Sequence, residues 1–290
     1  MKKLLDSFSH RKEEPEESVL YVVSSPIGNL NDISNRALKI LSKASLIACE
    51  DTRNTGKLLK FFNISNKLIS YHKHNFKERI PYLISELKLK KSIALISDAG
   101  TPLISDPGET LVQKTRESDF EVVSIPGPCA AISALVSSGL PTSKFTFYGF
   151  IPRIKKEREI ILNSIERSPF TSIIYESPKK LKKLLDDLKQ VCGGYRRVKA
   201  LKEITKLHEK NYGDNIDDLI LIFSKLEPKG EFTLIIEGNS KVKENNITDI
   251  KDELIKLTDA GLSHSAASIY LSKKLSIPKN KIYKLLIDKN

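Results

Sequence analysis

The chain has 290 residues, 40% of them hydrophobic, and carries 48 Lys and Arg against 36 Asp and Glu, a formal charge of +12. That length accommodates two α/β domains with an appendage, and no run approaches the roughly 20 apolar residues that span a bilayer, so a membrane role is set aside. The positive balance favours polyanionic partners, nucleic acid first, although a lysine-rich surface without such a partner gives the same count.

The opening "MKKLLDSFSHRKEEPEES" is basic, but its apolar part is only Leu4, Leu5 and Phe8, far short of a signal-peptide core, so residues 1–17 are expected to be a solvated tail. From there β-rich runs ("SVLYVVSS", "ASLIACE", "KLISY", "SIALIS", "FEVVSI") alternate with helical patterns such as "SNRALKILSK" and "FKERIPYLISELK". The alternation predicts an α/β domain over 18–141 with a largely parallel sheet and helices on both faces. Gly139 and Pro141 interrupt the last helix and mark its end. Residues 142–239 repeat the alternation, with strands at "FTFYGF", "TSIIYE", "RRVKALKE" and "GEFTLIIEG", and predict a second α/β domain.

A polar linker is expected at 240–248, and from 249 to 290 the pattern turns purely helical, with Gly261 as a stop and Ser263 as a cap. Between Gly261 and Asn290 six lysines stand against the single acid Asp288, so this three-helix segment, of helix-turn-helix size, forms a basic end suited to nucleic-acid phosphates. Cys49, Cys129 and Cys192 are odd in number and stand in no Cys-x-x-Cys or Cys/His cluster, which suits a reducing cytoplasm and makes them expected core thiols.

In an open α/β sheet ligands sit beyond the carboxyl ends of the strands. Here those ends read Ser24-Ser25-Pro26-Ile27-Gly28-Asn29, then Glu50-Asp51-Thr52-Arg53, then "SDAGTPLISDPG" from Ser97 to Gly108, then Pro126-Gly127-Pro128-Cys129-Ala130. None has the glycine spacing of a phosphate cradle, and proline removes a backbone N–H. Such loops are expected to present carbonyl oxygen and close backbone to a flat base or a cationic group, with Gly28 giving close approach. Asp98 and Asp106 sit beside Gly or Pro as turn aspartates do, and His72, His74 and Asn75 lack a further zinc ligand, so no metal site is expected.

The segments "LYVVSSPIGNLNDISNRALKILSKASLIACEDTRNTGKLL", "ALISDAGTPLISDPG", "VVSIPGPCAAISAL", "GLPTSKFTFYGFIPR", "IIYESPKKL", "LKEITKLHE" and "GEFTLIIEG" resemble, in order and spacing, the ribosomal small-subunit 2'-O-ribose methyltransferase I family. That family is the ribosomal branch of the tetrapyrrole (corrin/porphyrin) methylases. The resemblance implies two α/β/α domains with S-adenosylmethionine in the cleft between them, a homodimer, and methylation of the 2'-hydroxyl of a decoding-centre cytidine in the 16S rRNA of the small ribosomal subunit. It places the cofactor against Pro26, Ile27 and Gly28; Ser97, Asp98, Gly100, Thr101, Pro102 and Ile104; Ala130 and Ala131; Tyr175, Glu176 and Ser177; and Glu231, Phe232 and Thr233. Tetrapyrrole-modifying relatives have Gly-Asp-Pro where this chain has Gly100-Thr101-Pro102, which disfavours a corrin or porphyrin substrate.

Methyl transfer to a ribose hydroxyl gains from a placed proton acceptor. The charged segments "CEDTR" and "LKEITK" offer Glu50, Asp51 or Glu203 for that role, with Arg53 and Lys206 holding adjacent phosphates. The stretch Arg153 to Arg158 is expected to add phosphate contacts, and Phe145, Phe147, Tyr148 and Phe150 are expected in the sheet core. Two other readings use the same residues: a nucleic-acid-binding regulator whose α/β part senses a ligand, and a methylase of a corrinoid or protein residue.

Overall fold

Strands β1 (Val19–Val23), β2 (Leu46–Cys49), β3 (Leu68–Ser70), β4 (Ile93–Ile96) and β5 (Glu121–Ile125) form a sheet in the order β3-β2-β4-β1-β5. Every neighbouring pair is parallel. This computed structural model describes residues 13–240, 247–275 and 277–287; the first part of the expected tail and most of the expected linker lie outside them. Helices α1 (Asn35–Lys43), α2 (Thr52–Phe61), α3 (Phe76–Lys88), α4 (Glu109–Glu117) and α5 (Ala130–Ser137) follow the strands in turn. The central strands are buried throughout, which is why they read as continuous apolar runs rather than alternations. Tyr21, Ile47 and Ile96 enter one core with Ile40 and Leu41 of α1, while Leu20, Leu46 and Leu95 enter the opposite core with Leu83 and Leu87 of α3.

The second sheet contains β6 (Phe145–Phe150), β7 (Thr171–Glu176), β8 (Val198–Lys202), β9 (Lys210–Tyr212) and β10 (Phe232–Ile236) in the order β6-β7-β10-β8-β9. Only β6 and β7 are parallel; β10 runs antiparallel to both its neighbours, and β9 antiparallel to β8. The short strand β9 has no buried residue, so it left no hydrophobic pattern to read. One face of this sheet is covered by α6 (Lys155–Arg167), α7 (Pro178–Cys192) and α8 (Ile216–Lys225), whose Leu162, Leu184, Leu188 and Leu219 pack on Ile174 and Leu234.

The other face is covered by α5. Ala131, Ala134 and Leu135 pack on Ile173, Leu201 and Ile235, so the helix expected to close the first domain serves the second sheet, and both sheets fall in one compact unit ending at Glu237. The expected tail also ends earlier than read: Glu14 is 4% exposed and accepts from the Arg36 guanidinium at 2.5 and 2.7 Å. Pairing of this kind offsets the cost of burying a carboxylate.

Residues 167–169 and 238–290 form a separate unit. Its helices α9 (Ile247–Asp259), α10 (His264–Leu275) and α11 (Lys279–Ile287) enclose Ile250, Leu254, Ala267, Leu271 and Ile282. Ser263 accepts from the Ala266 N–H at 3.2 Å and Gly261 takes φ +96°, so both expected helix signals hold. Lys274 pairs with Glu253, while Lys273, Lys281 and Lys284 are exposed and lack a carboxylate partner among the described residues.

Candidate active site

A parallel sheet delivers all its carboxyl ends to one edge, and two of the resulting loops are stitched together here. Ser25 and Gly100 exchange both backbone hydrogen bonds, at 2.9 and 3.1 Å, joining the turn after β1 to the turn after β4. Ser25 Oγ donates to the Ser97 carbonyl at 3.0 Å, Ser97 Oγ to the Gly100 carbonyl at 3.2 Å, and Thr101 Oγ1 to the Pro128 carbonyl at 3.0 Å. The expected array of open carbonyls is thereby corrected, since neighbouring hydroxyls take up several of them. Leu103 and Ser105 hold φ of +75° and +67°, a backbone region costly for residues with a side chain and typical of sites that fix a loop for function.

The facing wall comes from the second sheet. Tyr175 accepts from the Ala131 N–H at 2.9 Å, and its ring meets Phe147 and Phe150 edge to face at 5.0 and 5.6 Å. Phe150 is 57% exposed, so its expected place in the sheet core is corrected; Phe145, 42% exposed, leaves the core as well. Glu176 is 3% exposed, and its Oε1 accepts from the Ser177 N–H at 2.7 Å, yet its buried Oε2 has no partner among the described residues.

Lys206 joins the walls. Its Nζ donates to Glu203 at 3.0 Å and to Glu231 at 2.8 Å, and a Cβ on Gly28 would overlap its side chain. The glycine after β1 therefore makes room for a cation of the chain itself. Gly230, at φ +84°, gives the same clearance to Glu203.

A cavity of about 340 Å³ lies between the two sheets. Of the expected cofactor residues it takes Ile27, Gly100, Thr101, Ile104 and Ala130 from the first wall. From the second it takes Tyr175, Glu176, Ser177, Glu231, Phe232 and Thr233. A neighbouring cavity of about 470 Å³ is lined by Pro26, Gly28, Ser97 and Asp98, and shares Ile27, Ala99, Lys206 and Glu231 with the first. Pro102 and Ala131 are buried and line neither.

The candidate proton acceptors separate by their partners. Asp51 caps α2, and hydrogen bonds from the Arg53 guanidinium and backbone N–H hold its carboxyl far below the usual range. For Glu203 burial pushes the pKa up, but the Glu231 N–H and Lys206 outweigh it and leave the group lowered. Glu50 is raised, by burial first and then by Asp98. Asp106, a cavity residue, is pushed up to about 6, by burial first and then by the charge of Glu50, with a Ser97 hydrogen bond opposing. Arg53 and Lys206, expected to hold phosphates, are both engaged by carboxylates, and Arg158 is likewise paired, with Asp187.

Asp106, Ser105, Cys129, Phe150 and Ile204 line the cavity without having been named as site residues. Asp106 read as a turn aspartate and Cys129 as a core thiol; the raised "SDPG" turn could have signalled the first, and nothing in the spacing signals the second. Cys49 does lie in the core, and burial pushes its thiol up to about 11. His72 and Asn75 shape the turn before α3, the His72 N–H donating to Asn75 Oδ1 at 2.8 Å. Among the described residues no three His, Cys, Asp or Glu side chains are arranged to hold a metal ion.

Residues 19–220 match the family model of the tetrapyrrole (corrin/porphyrin) methylases. The ribosomal RNA small subunit methyltransferase I of a Synechocystis species is 41% identical over 93% of this chain and 98% of its own length. That of Escherichia coli O157:H7 is 40% identical over 96% and 98%. Among solved structures, a uroporphyrin-III-C-methyltransferase from Thermus thermophilus superposes with a TM-score of 0.54 at 16% identity, over 76% of this chain and 94% of that one. A cobalt precorrin-4 methyltransferase does so with 0.54 at 13% identity, over 76% and 95%.

Proposed function

The chain belongs to the ribosomal RNA small subunit methyltransferase I family of the tetrapyrrole (corrin/porphyrin) methylases, and on that premise we propose that it methylates the 2'-hydroxyl of a decoding-centre cytidine in 16S rRNA. Its methyl donor is S-adenosylmethionine. We place the reaction in the cytoplasm and assign it to a homodimer. No helix among the described residues is long and apolar enough to cross a membrane.

The observation that carries this reading is the buried Glu176 Oε2, without a partner among the described residues, on the wall of a cavity that both sheets line. A buried carboxylate oxygen left in that state fits a ligand bearing a positive charge or hydroxyl donors, and the cofactor has both. Ile27, Gly100, Thr101, Tyr175, Glu176 and Ser177 would hold it. Bound there, it supplies a methyl group activated by a positively charged sulfur.

The chain's own contribution is position and proton transfer. Fixed loops and strand ends hold the reacting groups in line, and such orientation accounts for a large share of rate. Asp51 and Glu203 accept from neighbouring cations, which makes them poor bases. Asp106, on the cavity wall and raised by burial and then by the charge of Glu50, takes the hydroxyl proton, because a carboxylate with its pKa pushed up to about 6 is a better base near neutrality than an ordinary one. Exposed Lys273, Lys281 and Lys284 of the separate helical unit, with Arg153 and Lys156, contact RNA phosphates.

Mass spectrometry of small-subunit RNA from cells with and without the protein tests the assignment. A single ribose methylation that depends on the protein is the expected result. A regulator would leave the RNA unmodified, and a methyl group found on a base or on protein would also overturn the reading.

A further inference from the structure

Helix α2 carries a surface feature that neither the cofactor residues nor the proton acceptors use. Lys57 and Phe61 lie one turn apart, and Lys60 sits beside Phe61, so the three crowd the carboxyl-terminal end of the helix. The opposite side of α2 is anchored by the buried Thr55 and Leu59. Phe61 is 61% exposed although it ends a well-packed helix. Phe62 meets it edge to face, with ring centroids 5.0 Å apart. Lys57 and Lys60 are exposed and have no carboxylate partner among the described residues. Both Lys57 and Phe61 line the 470 Å³ cavity, together with Asn54 and Leu58 of the same helix.

An exposed aromatic ring beside unpaired cations is the arrangement by which proteins hold single-stranded nucleic acid: bases stack on the ring and phosphates meet the charges. The lining of the cavity beside it includes a polar pair, Asn54 Nδ2 donating to Asp98 Oδ2 at 2.8 Å. It also shares Ile27 and Lys206 with the cavity that holds Glu176 and Asp106. We propose that this end of α2 grips the RNA strand next to the reacting nucleotide, with Phe61 stacking on a base and Lys57 and Lys60 meeting phosphates. The nucleoside itself enters the second cavity, so that its hydroxyl faces the first past the Ile27 and Lys206 partition. The proposal rests on the RNA methylation reading and assigns that reading its substrate surface.

The test uses the full-length chain and a fragment of small-subunit RNA, with binding followed by filter retention across a range of KCl concentrations. Phe61→Ala should weaken RNA binding about tenfold, the lower range of one lost base-aromatic stack, and Phe61→Trp should restore it. The double variant Lys57→Gln/Lys60→Gln should lower the slope of log affinity against log salt by about 1.4, as two lost contacts to a single strand require. Cofactor affinity, read by calorimetry, should stay at the wild-type value in all three. Unchanged RNA affinity and salt slope would overturn the proposal. So would loss of cofactor binding in Phe61→Ala, which would give the second cavity to the cofactor instead. Because binding is read without turnover, a chain that needs Phe61 to bind RNA but transfers no methyl would sink only the proposed reaction. A chain whose Phe61→Ala variant binds and methylates RNA normally would sink only the α2 surface.

Discussion

The first sheet meets the main cavity with loops, the second with the strands themselves. Ile27, Gly100, Thr101 and Asp106 all lie beyond the ends of β1 and β4, whereas Phe150, Tyr175, Glu176, Phe232 and Thr233 belong to β6, β7 and β10. Topology explains the contrast. In the parallel sheet each strand must turn away into a helix at the same edge, so the wall consists of turns, two of them tied by Ser25 and Gly100 and strained at Leu103 and Ser105. In the mixed sheet β10 starts where β7 and β8 end, with Phe232 opposite both Glu176 and Lys202, so ladder residues reach the cavity directly. The lesson is a division between the walls: strand residues bring in Glu176, with its unsatisfied carboxylate oxygen, while the turns bring in Asp106, whose carboxyl is raised.

If that division is right, substitutions on the two walls should differ in kind. The largest effect is expected on the turn-built side. Asp106→Asn and Glu50→Gln should each lower turnover about 10²-fold or more while cofactor affinity stays put. In the parent, kcat/KM should rise with pH through about 6, where Asp106 loses its proton, and this limb should vanish in Asp106→Asn. A pH profile in single-turnover assays decides it; equal losses in affinity and rate would erase the distinction. On the ladder side, Glu176→Gln should weaken cofactor binding by about ten- to a hundredfold in calorimetry, the range for a hydrogen bond to a charged group. Normal affinity would remove Glu176 from the site.

Smaller effects sharpen the comparison. Gly28→Val should displace Lys206 and cut turnover by about tenfold, an expectation for a misplaced wall rather than a lost reacting group. Unaltered kinetics would show that Lys206 can move freely. The smallest effect concerns stability. Asp106 has its pKa raised in the fold, so the unfolded chain gives up its proton first and stability falls as pH rises from about 4 to 6. Asp106→Asn should therefore be more stable than the parent at pH 7 by about 1 kcal/mol after solvent screening, with no gain at pH 3, as urea unfolding would measure.

Periodicity made most of this architecture legible. The buried runs "LYVV", "LIAC" and "IALI" read as core strands, which their alternation with helices marked as parallel, and the capping residues Ser34 and Ser263 work as their positions suggest. What stayed hidden was set by contacts distant in the chain. Nothing near Ala130 tells that α5 leaves the first sheet for the second, and nothing near Gly28 announces the side chain of Lys206. The direction of β10 is equally silent, because an antiparallel strand buried on both faces has the composition of a parallel one. In the site, the strand-end rule found the turns, but it could not tell an engaged carboxylate such as Asp51 from a raised one such as Asp106, since the difference lies in the Arg53 bonds to the first and in the burial of the second, with the charge of Glu50 adding to it.

The path of α5 has a mechanical corollary. A helix that is the last piece of one half by sequence and the lid of the other half by packing works as a tenon: cutting the backbone near Ser143 would leave the amino-terminal fragment with a bare apolar ridge of Ala131, Ala134 and Leu135 and the carboxyl-terminal fragment with an uncovered sheet. Neither piece is a finished object, and the two halves are bound to melt in a single event.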